Sequence, residues 1–280
     1  MLRPNPIGPG LQGFAARTPT LPPATHTNSY ALGTRDLLLV EPATPYAEEQ
    51  RAWLGWARSL VSQGRKLRAV FVTHHHVDHV GGAAALSGEL GVPLWGHALT
   101  AERLPELRFE RRLEDGDVIT LEGQEPERWE VLHTPGHAPG HLCLLERQSG
   151  TLVVGDMVAS EGTILIEPND GDMAVYLTQL ERLAALGAER ALPAHGAPIE
   201  APTALFRHYI AHRLEREGKV LEALRTAGSG GATPAELVPI AYSDTPKQAW
   251  PLAVMSLAAH LGKLVHDGAA RLDEERYFST

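Results

Sequence analysis

Five side chains able to ligate a metal stand within the six residues His74-His75-His76-Val77-Asp78-His79, and after Val80 come Gly81-Gly82. Folding alone gives no reason for such density, and imidazole with carboxylate is the donor set of a divalent transition metal. Leu67-Arg68-Ala69-Val70-Phe71-Val72 precedes the run. It is apolar and β-branched, so the histidines begin where a buried strand is predicted to end. Side chains two apart on an extended segment share a face. His74 and His76 can therefore converge on one ion while His75 points the other way, and Asp78 and His79, past the bend, can reach a second.

Three further candidates follow in order, each after an apolar stretch that reads as a strand. Trp129-Glu130-Val131-Leu132 leads into His133-Thr134-Pro135-Gly136-His137-Ala138-Pro139-Gly140-His141, a loop punctuated by Pro and Gly in which only one of the three histidines need be a ligand. Thr151-Leu152-Val153-Val154-Gly155 ends on Asp156, and Arg190-Ala191-Leu192-Pro193-Ala194 ends on His195. Strand, then Gly or Pro, then ligand is the shared pattern.

Taken together, these motifs resemble the metallo-β-lactamase superfamily of metallohydrolases: a His-x-His-x-Asp-His loop, a later His, a later Asp and a final His. The resemblance implies that His74, His76 and His137 bind one metal, that Asp78, His79 and His195 bind a second, and that Asp156 bridges them. His141 is then expected to support the loop, and His133, His97 and His26 to be structural. Thr27-Asn28-Ser29-Tyr30, Gly155-Asp156 through Ile166 with Tyr176-Leu177, and Pro193-Ala194-His195-Gly196 extend the resemblance. They point to the branch that includes the mitochondrial β-lactamase-like endoribonuclease and fungal polyketide thioesterases. One departure stands out: where the family usually has Asp-Thr-Gly after the second strand, this chain has Glu41-Pro42-Ala43. That Asp commonly supports the ligand loop from behind.

A fold must hold these ends together, and 280 residues with 43% hydrophobic content suffice for one large α/β domain and a small one. The resemblance implies an αββα sandwich over residues 1–202 and a winged-helix domain over 203–280. Residues up to about Pro23 are rich in Pro, Gly and Thr and read as an irregular lead-in or edge strand. Tyr46 to Gln63, with Trp53, Leu54, Ala57, Leu60 and Val61 on one face, is predicted to be a helix, as is Asp172 to Leu186. Beyond Thr203 the pattern predicts helices over Ala204–Gly218, Val220–Ala227, from Thr233 or Pro234, and over Trp250–Leu264. A two-stranded wing is expected to turn at Asp267-Gly268. Cys143, the single cysteine, lies in an apolar segment, excludes an internal disulfide and is a poor nucleophile.

Charge narrows the chemistry. Two divalent cations would bring four positive charges against the two of Asp78 and Asp156, leaving a cationic site where a hydroxide held between ions about 4 Å apart could exist near neutral pH. Asp78 is the residue expected to orient that hydroxide and pass its proton on. Zinc suits such ligands, and manganese or iron also fit. The single cysteine argues against lactamases that use a cysteine ligand. The 39 positions from Asp156 to His195 leave no room for the β-CASP insertion. His76 stands where flavodiiron proteins need Glu, and the single iron of persulfide dioxygenases would leave Asp78 and His79 without a metal.

Three readings follow. Hydrolysis of a small acyl thioester or ester is placed first, because the chain carries net charge −9 and no basic track for a polymer. Cleavage of single-stranded RNA is the second, and a non-enzymatic metal-containing ligand-binding or regulatory module the third. The tail from Thr203 holds nine Lys or Arg and nine Asp or Glu. It is therefore expected to wall the substrate groove rather than bind DNA. No segment reads as a membrane span or secretory signal, so a cytoplasmic protein is expected; subunit number is not encoded in these patterns.

Overall fold

The computed structural model describes residues 3–280. Seven strands form one sheet in chain order: Asn5–Gly8 (β1), Leu11–Arg17 (β2), His26–Leu32 (β3), Asp36–Val40 (β4), Lys66–Phe71 (β5), Leu94–His97 (β6) and Phe109–Leu113 (β7). Pairing is antiparallel from β1 to β4 and parallel from β4 to β7. A second sheet has the order β12-β11-β10-β9-β8, from Val118–Leu121 (β8), Glu127–His133 (β9), Leu142–Glu146 (β10), Thr151–Gly155 (β11) and Arg190–Pro193 (β12).

Alternation along β4 explains the layering. Leu38 and Val40 join Phe71, Trp129, Val131, Leu144, Val153 and Leu192 in a core between the two sheets. Leu37 and Leu39 point the other way, into a core shared with helices Ala47–Ser62 (α1) and, beyond the one-turn Val77–Val80 (α2), Ala83–Leu90 (α3). A strand buried on both faces has no polar side to show, which is why β4 reads as an unbroken Leu-Leu-Leu-Val run. In α1, Trp56 joins Trp53, Leu54, Ala57 and Leu60 in the core, while Val61, expected on the buried face, is 43% exposed. Of the two expectations for the lead-in, irregular chain or edge strand, the second holds: it forms two paired strands, with β1 at the sheet's edge. Phe14 and Ala16 of β2 cover the α1 side of the sheet, which gives this Gly-rich segment enough apolar burial to order it.

Two compact units emerge that are not continuous in sequence. One runs through Thr134 and adds Pro139–Thr163 and Gly187–Pro202; the other is Pro135–Ala138, Ile164–Leu186 and Thr203–Thr280. Ala98–Arg103 (α4) belongs to the first, its start capped by His97, whose Nδ1 accepts the Leu99 N–H. In the second, Met173–Ala185 (α5) begins at Asp172, whose carboxylate accepts the Val175 N–H at 2.9 Å.

Pro202–Ala227 (α6) is one helix where two were expected. Gly218 costs about 1 kcal/mol in a helix interior, less than the burial of Phe206, Val220 and Leu224 on the same helix returns. Pro234–Ala241 (α7) starts at a capping box formed by Thr233 and Glu236. Trp250–His266 (α8) packs Leu257, Leu261 and Leu264 against Val220, Leu224, Leu237 and Val238. The wing consists of Ala270–Asp273 (β13) and Arg276–Ser279 (β14), so the hairpin turns at Glu274-Glu275 and not at Asp267-Gly268. Gly268, at φ +75°, ends α8 instead, and Glu274 takes the left-handed conformation at the turn, φ +52°.

Candidate metal centre

Four strand ends converge in the first unit. After β5, Val72 is still tied to Trp95 O, and the chain then leaves the sheet through Thr73 to His76 before α2 raises Asp78 and His79. His74 is fully buried, with Nδ1 2.9 Å from Thr73 Oγ1 and Nε2 3.0 Å from His76 Nδ1. The exit of β11 delivers Asp156, that of β12 delivers His195, and that of β4 delivers Glu41.

Several of the ligand candidates are oriented from behind. His195 Nδ1 donates to the backbone carbonyl of His26 at 3.0 Å, which turns Nε2 toward Oδ1 of Asp156 at 3.4 Å and Oδ2 of Asp78 at 3.6 Å. His79 Nδ1 lies 3.3 Å from Glu41 Oε1, and its Nε2 lies 3.5 Å from Asp156 Oδ2 and 3.9 Å from Asp78 Oδ1. His141 Nε2 accepts the backbone N–H of Asp156 at 3.1 Å, and its Nδ1 donates to Thr134 Oγ1 at 2.8 Å. Gly155 must be glycine for this to fit: φ is +48°, and a Cβ would stand 2.5 Å from His141 Nε2.

Burial opposes charge on the His79 ring, but the carboxylates of Asp156, Glu41 and Asp78 outweigh it and hold the ring well above the ordinary histidine range. His195 is raised in the same way, with Asp156 overcoming burial. Asp156 is driven well below the usual carboxylate range because His195 and His79 overcome its own desolvation. Imidazoles and carboxylates packed this way offer lone pairs that a cation could take in place of a proton.

The distances agree with that role. Both ring nitrogens of His79 are buried without a hydrogen bond. Its Nε2 contacts with carboxylate oxygens, at 3.5 and 3.9 Å, are long for N–H···O bonds. They are close to the spacing of two donors that each sit about 2.0–2.2 Å from one metal. His74, His79 and Asp156 offer donor atoms within 4.8 Å of one another, and so do Asp78, His79 and His195. Of the seven residues expected at the site, six lie in this unit. His137 belongs to the second unit, where its Nδ1 donates to Leu165 O at 2.9 Å and the lone pair of the neutral ring falls on Nε2.

The histidines expected to be structural have structural contacts. His97 stacks on His133 at 4.2 Å, and His133 Nε2 donates to Pro139 O at 2.8 Å. Burial and the neighbouring His133 lower the His97 pKa to about 4. Cys143 is a buried free thiol 3.3 Å from Thr134 Oγ1. Thr73, Thr134 and the His26 carbonyl carry roles that no motif announced, since a threonine beside a strand end or a backbone oxygen has no distinctive sequence pattern.

Residues 22–195 match the family described as the metallo-beta-lactamase superfamily, and residues 233–276 match the beta-lactamase associated winged helix domain. The chain is 30% identical over 265 residues to the beta-lactamase-like protein 2 homolog of Drosophila melanogaster, covering 90% of this chain and 87% of that one. It is 30% identical over 231 residues to an atrochrysone carboxyl ACP thioesterase of Aspergillus fumigatus, covering 79% and 69%. The crystal structure of a metallo-beta-lactamase family protein from Thermus thermophilus superposes with TM-score 0.79 at 24% identity, over 98% of this chain and 99% of that one. The fold is therefore the α/β metallo-beta-lactamase fold followed by a winged helix, and with its histidine and aspartate cluster in place the chain belongs to the metallo-beta-lactamase superfamily.

Proposed function

We propose that the chain is a two-metal hydrolase that cleaves a small acyl thioester or ester. The observation that carries the reading is the position of Asp78, with Oδ1 facing His79 Nε2 at 3.9 Å and Oδ2 facing His195 Nε2 at 3.6 Å. In this reading His74 and His76 would hold one cation, Asp78, His79 and His195 would hold the other, and Asp156 would serve both. Zinc is the metal that this donor set suits, with manganese or iron as alternatives. Bound divalent cations would lower the pKa of a water toward about 7 and polarise the acyl oxygen.

The chain's own residues supply the rest. The Asp78 side chain is 15% exposed against 9% for Asp156, so Asp78 is the more accessible of the two carboxylates. Asp78 orients that water, accepts its proton and returns it to the leaving thiolate. The hydrogen bonds behind His195 and His141 hold the rings still, so that geometry is set before substrate arrives.

Net charge −9 disfavours a polyanionic substrate, and fungal relatives are named as ACP thioesterases, which supports the acyl reading over cleavage of RNA. No helix among the described residues is long and apolar enough to cross a membrane, and a lone buried thiol suits a reducing compartment such as the cytoplasm. The test is thiol release from acyl-CoA and acyl-glutathione, abolished by a chelator and restored by zinc. Cutting of an unstructured RNA oligonucleotide without thiol release would replace this reading by endoribonuclease activity. Inactivity on both with retained metal would replace it by a binding module.

A further inference from the structure

We propose that His208 and His212 form a surface site for a divalent transition metal on α6. The site lies in the second unit, draws on none of the seven expected ligands and goes beyond the hydrolase reading. Burial along α6 fixes where the two rings stand. Phe206, Tyr209, Arg213, Val220 and Leu224 are buried on one side, while His208 and His212 are exposed. A helix turns about 100° per residue, so residues four apart fall within about 40° of each other, one turn above the other. The two ring centroids are 6.4 Å apart, with the planes inclined by 23°. With a Zn–N bond of about 2.0–2.1 Å, a ring centroid sits roughly 3 Å from its ion. The observed spacing is therefore that of two imidazoles on either side of one cation, and rotation of exposed side chains, a fast motion, can close it further.

The lone pairs of these rings are uncommitted. Neither ring has a hydrogen-bond partner among the described residues, whereas His97 caps α4 and His133 holds the Pro139 carbonyl. Burial first, then Arg213, Arg216 and His208, lowers the His212 pKa, so that ring is uncharged at neutral pH and open to a metal. The two arginines are engaged elsewhere: Arg213 donates to the Ile164 carbonyl, and Arg216 to the Ala241 carbonyl and to Asp244. Glu215, three residues past His212, is exposed and brings negative charge to the same side of the helix, its carboxylate paired with Lys219 at 2.8 Å. Imidazole nitrogens select zinc, copper or nickel over magnesium and calcium, and copper(II) should bind tighter than zinc. Water takes the positions that two protein ligands leave.

The experiment is carbethoxylation of the full-length protein by diethyl pyrocarbonate, with and without zinc, located by peptide mass spectrometry. Because it is read at individual side chains, its outcome does not depend on how many ions the candidate metal centre holds. Wild type is compared with His208→Gln and with Arg207→His combined with His208→Gln. The combined variant keeps all 14 histidines but sets residues 207 and 212 on different flanks of α6. In wild type, zinc is expected to slow the reaction of His208 and His212 together, over one concentration range, while His266, 79% exposed, reacts unchanged. In both variants His212 should need at least about 10–100-fold more zinc for the same protection, the loss that follows removal of even an outer-shell partner. Rates at His208 and His212 that zinc leaves unchanged in wild type overturn the proposal. Protection of His212 at the wild-type zinc concentration in either variant also overturns it, since a lone imidazole would then suffice.

Discussion

The ring of His141 accepts the backbone N–H of Asp156 at 3.1 Å, so a histidine outside the ligand set fixes the backbone from which a carboxylate enters the metal centre. Both residues are buried, and replacing His141 by alanine leaves that N–H without an acceptor at a cost of about 1–3 kcal/mol. Gly155→Ala should act through the same contact from the other side, because its Cβ would drive the ring away. Urea unfolding of both variants should give midpoints below wild type, and zinc should bind more weakly to each. An unchanged midpoint for His141→Ala would show that the bond contributes nothing.

Asp78→Asn keeps size and one acceptor oxygen but removes the charge that would take a proton. Turnover of an acyl thioester is expected to fall about 10²–10⁴-fold, the range typical of removing a general base. The variant should remain folded, since the residue is partly exposed and lies on the single turn of α2. Full activity would remove the proposed proton role.

The strand ends that carry the candidate ligands were legible because each apolar run stops abruptly, and β5, β11 and β12 all end within two residues of the expected limit. The winged helix was legible from helix spacing, the Thr233 cap and paired terminal strands, but its turn was misplaced. Asp267-Gly268 suits a hairpin turn and a helix end equally, and only the packing of Leu264 in the core decides that α8 continues to His266. Gly218 misled in the same way, since local propensity favours a break that burial along α6 overrides. What could not be read at all were contacts made through backbone atoms, such as the His26 carbonyl behind His195, because any residue type can make them.

His97 supplies a pH dependence away from the candidate metal centre. Its folded pKa is lowered to about 4 by burial and by His133, whereas the unfolded chain binds the proton near 6.5. Protons therefore favour the unfolded state as pH drops from about 7 to about 4, and stability falls over that window; below about 4 this group contributes no further slope. His97→Asn retains an oxygen able to accept the Leu99 N–H. Relative to wild type, the variant should gain stability at pH 5 compared with pH 8, as judged from paired denaturation curves. A difference that stays constant with pH would show that the ring does not titrate in this way.

The winged-helix unit offers a test of where a charge pair stabilises. Arg216 is 9% exposed, donates to the Ala241 carbonyl and to both oxygens of Asp244, and lies over the Tyr242 ring with its guanidinium carbon 4.2 Å from the centroid. Its partner is different: the Asp244 side chain is 46% exposed and also accepts from Lys219. Removing the arginine strips a buried carbonyl of its donor and the tyrosine of its cation, at a cost of about 2–4 kcal/mol. Asp244→Asn instead changes a solvated pair and should cost at most about 1 kcal/mol. Amide hydrogen exchange over residues 234–266 should accelerate strongly in Arg216→Ala and little in Asp244→Asn; equal acceleration would mean that the ion pair, and not the carbonyl and ring contacts, holds α7 to α6.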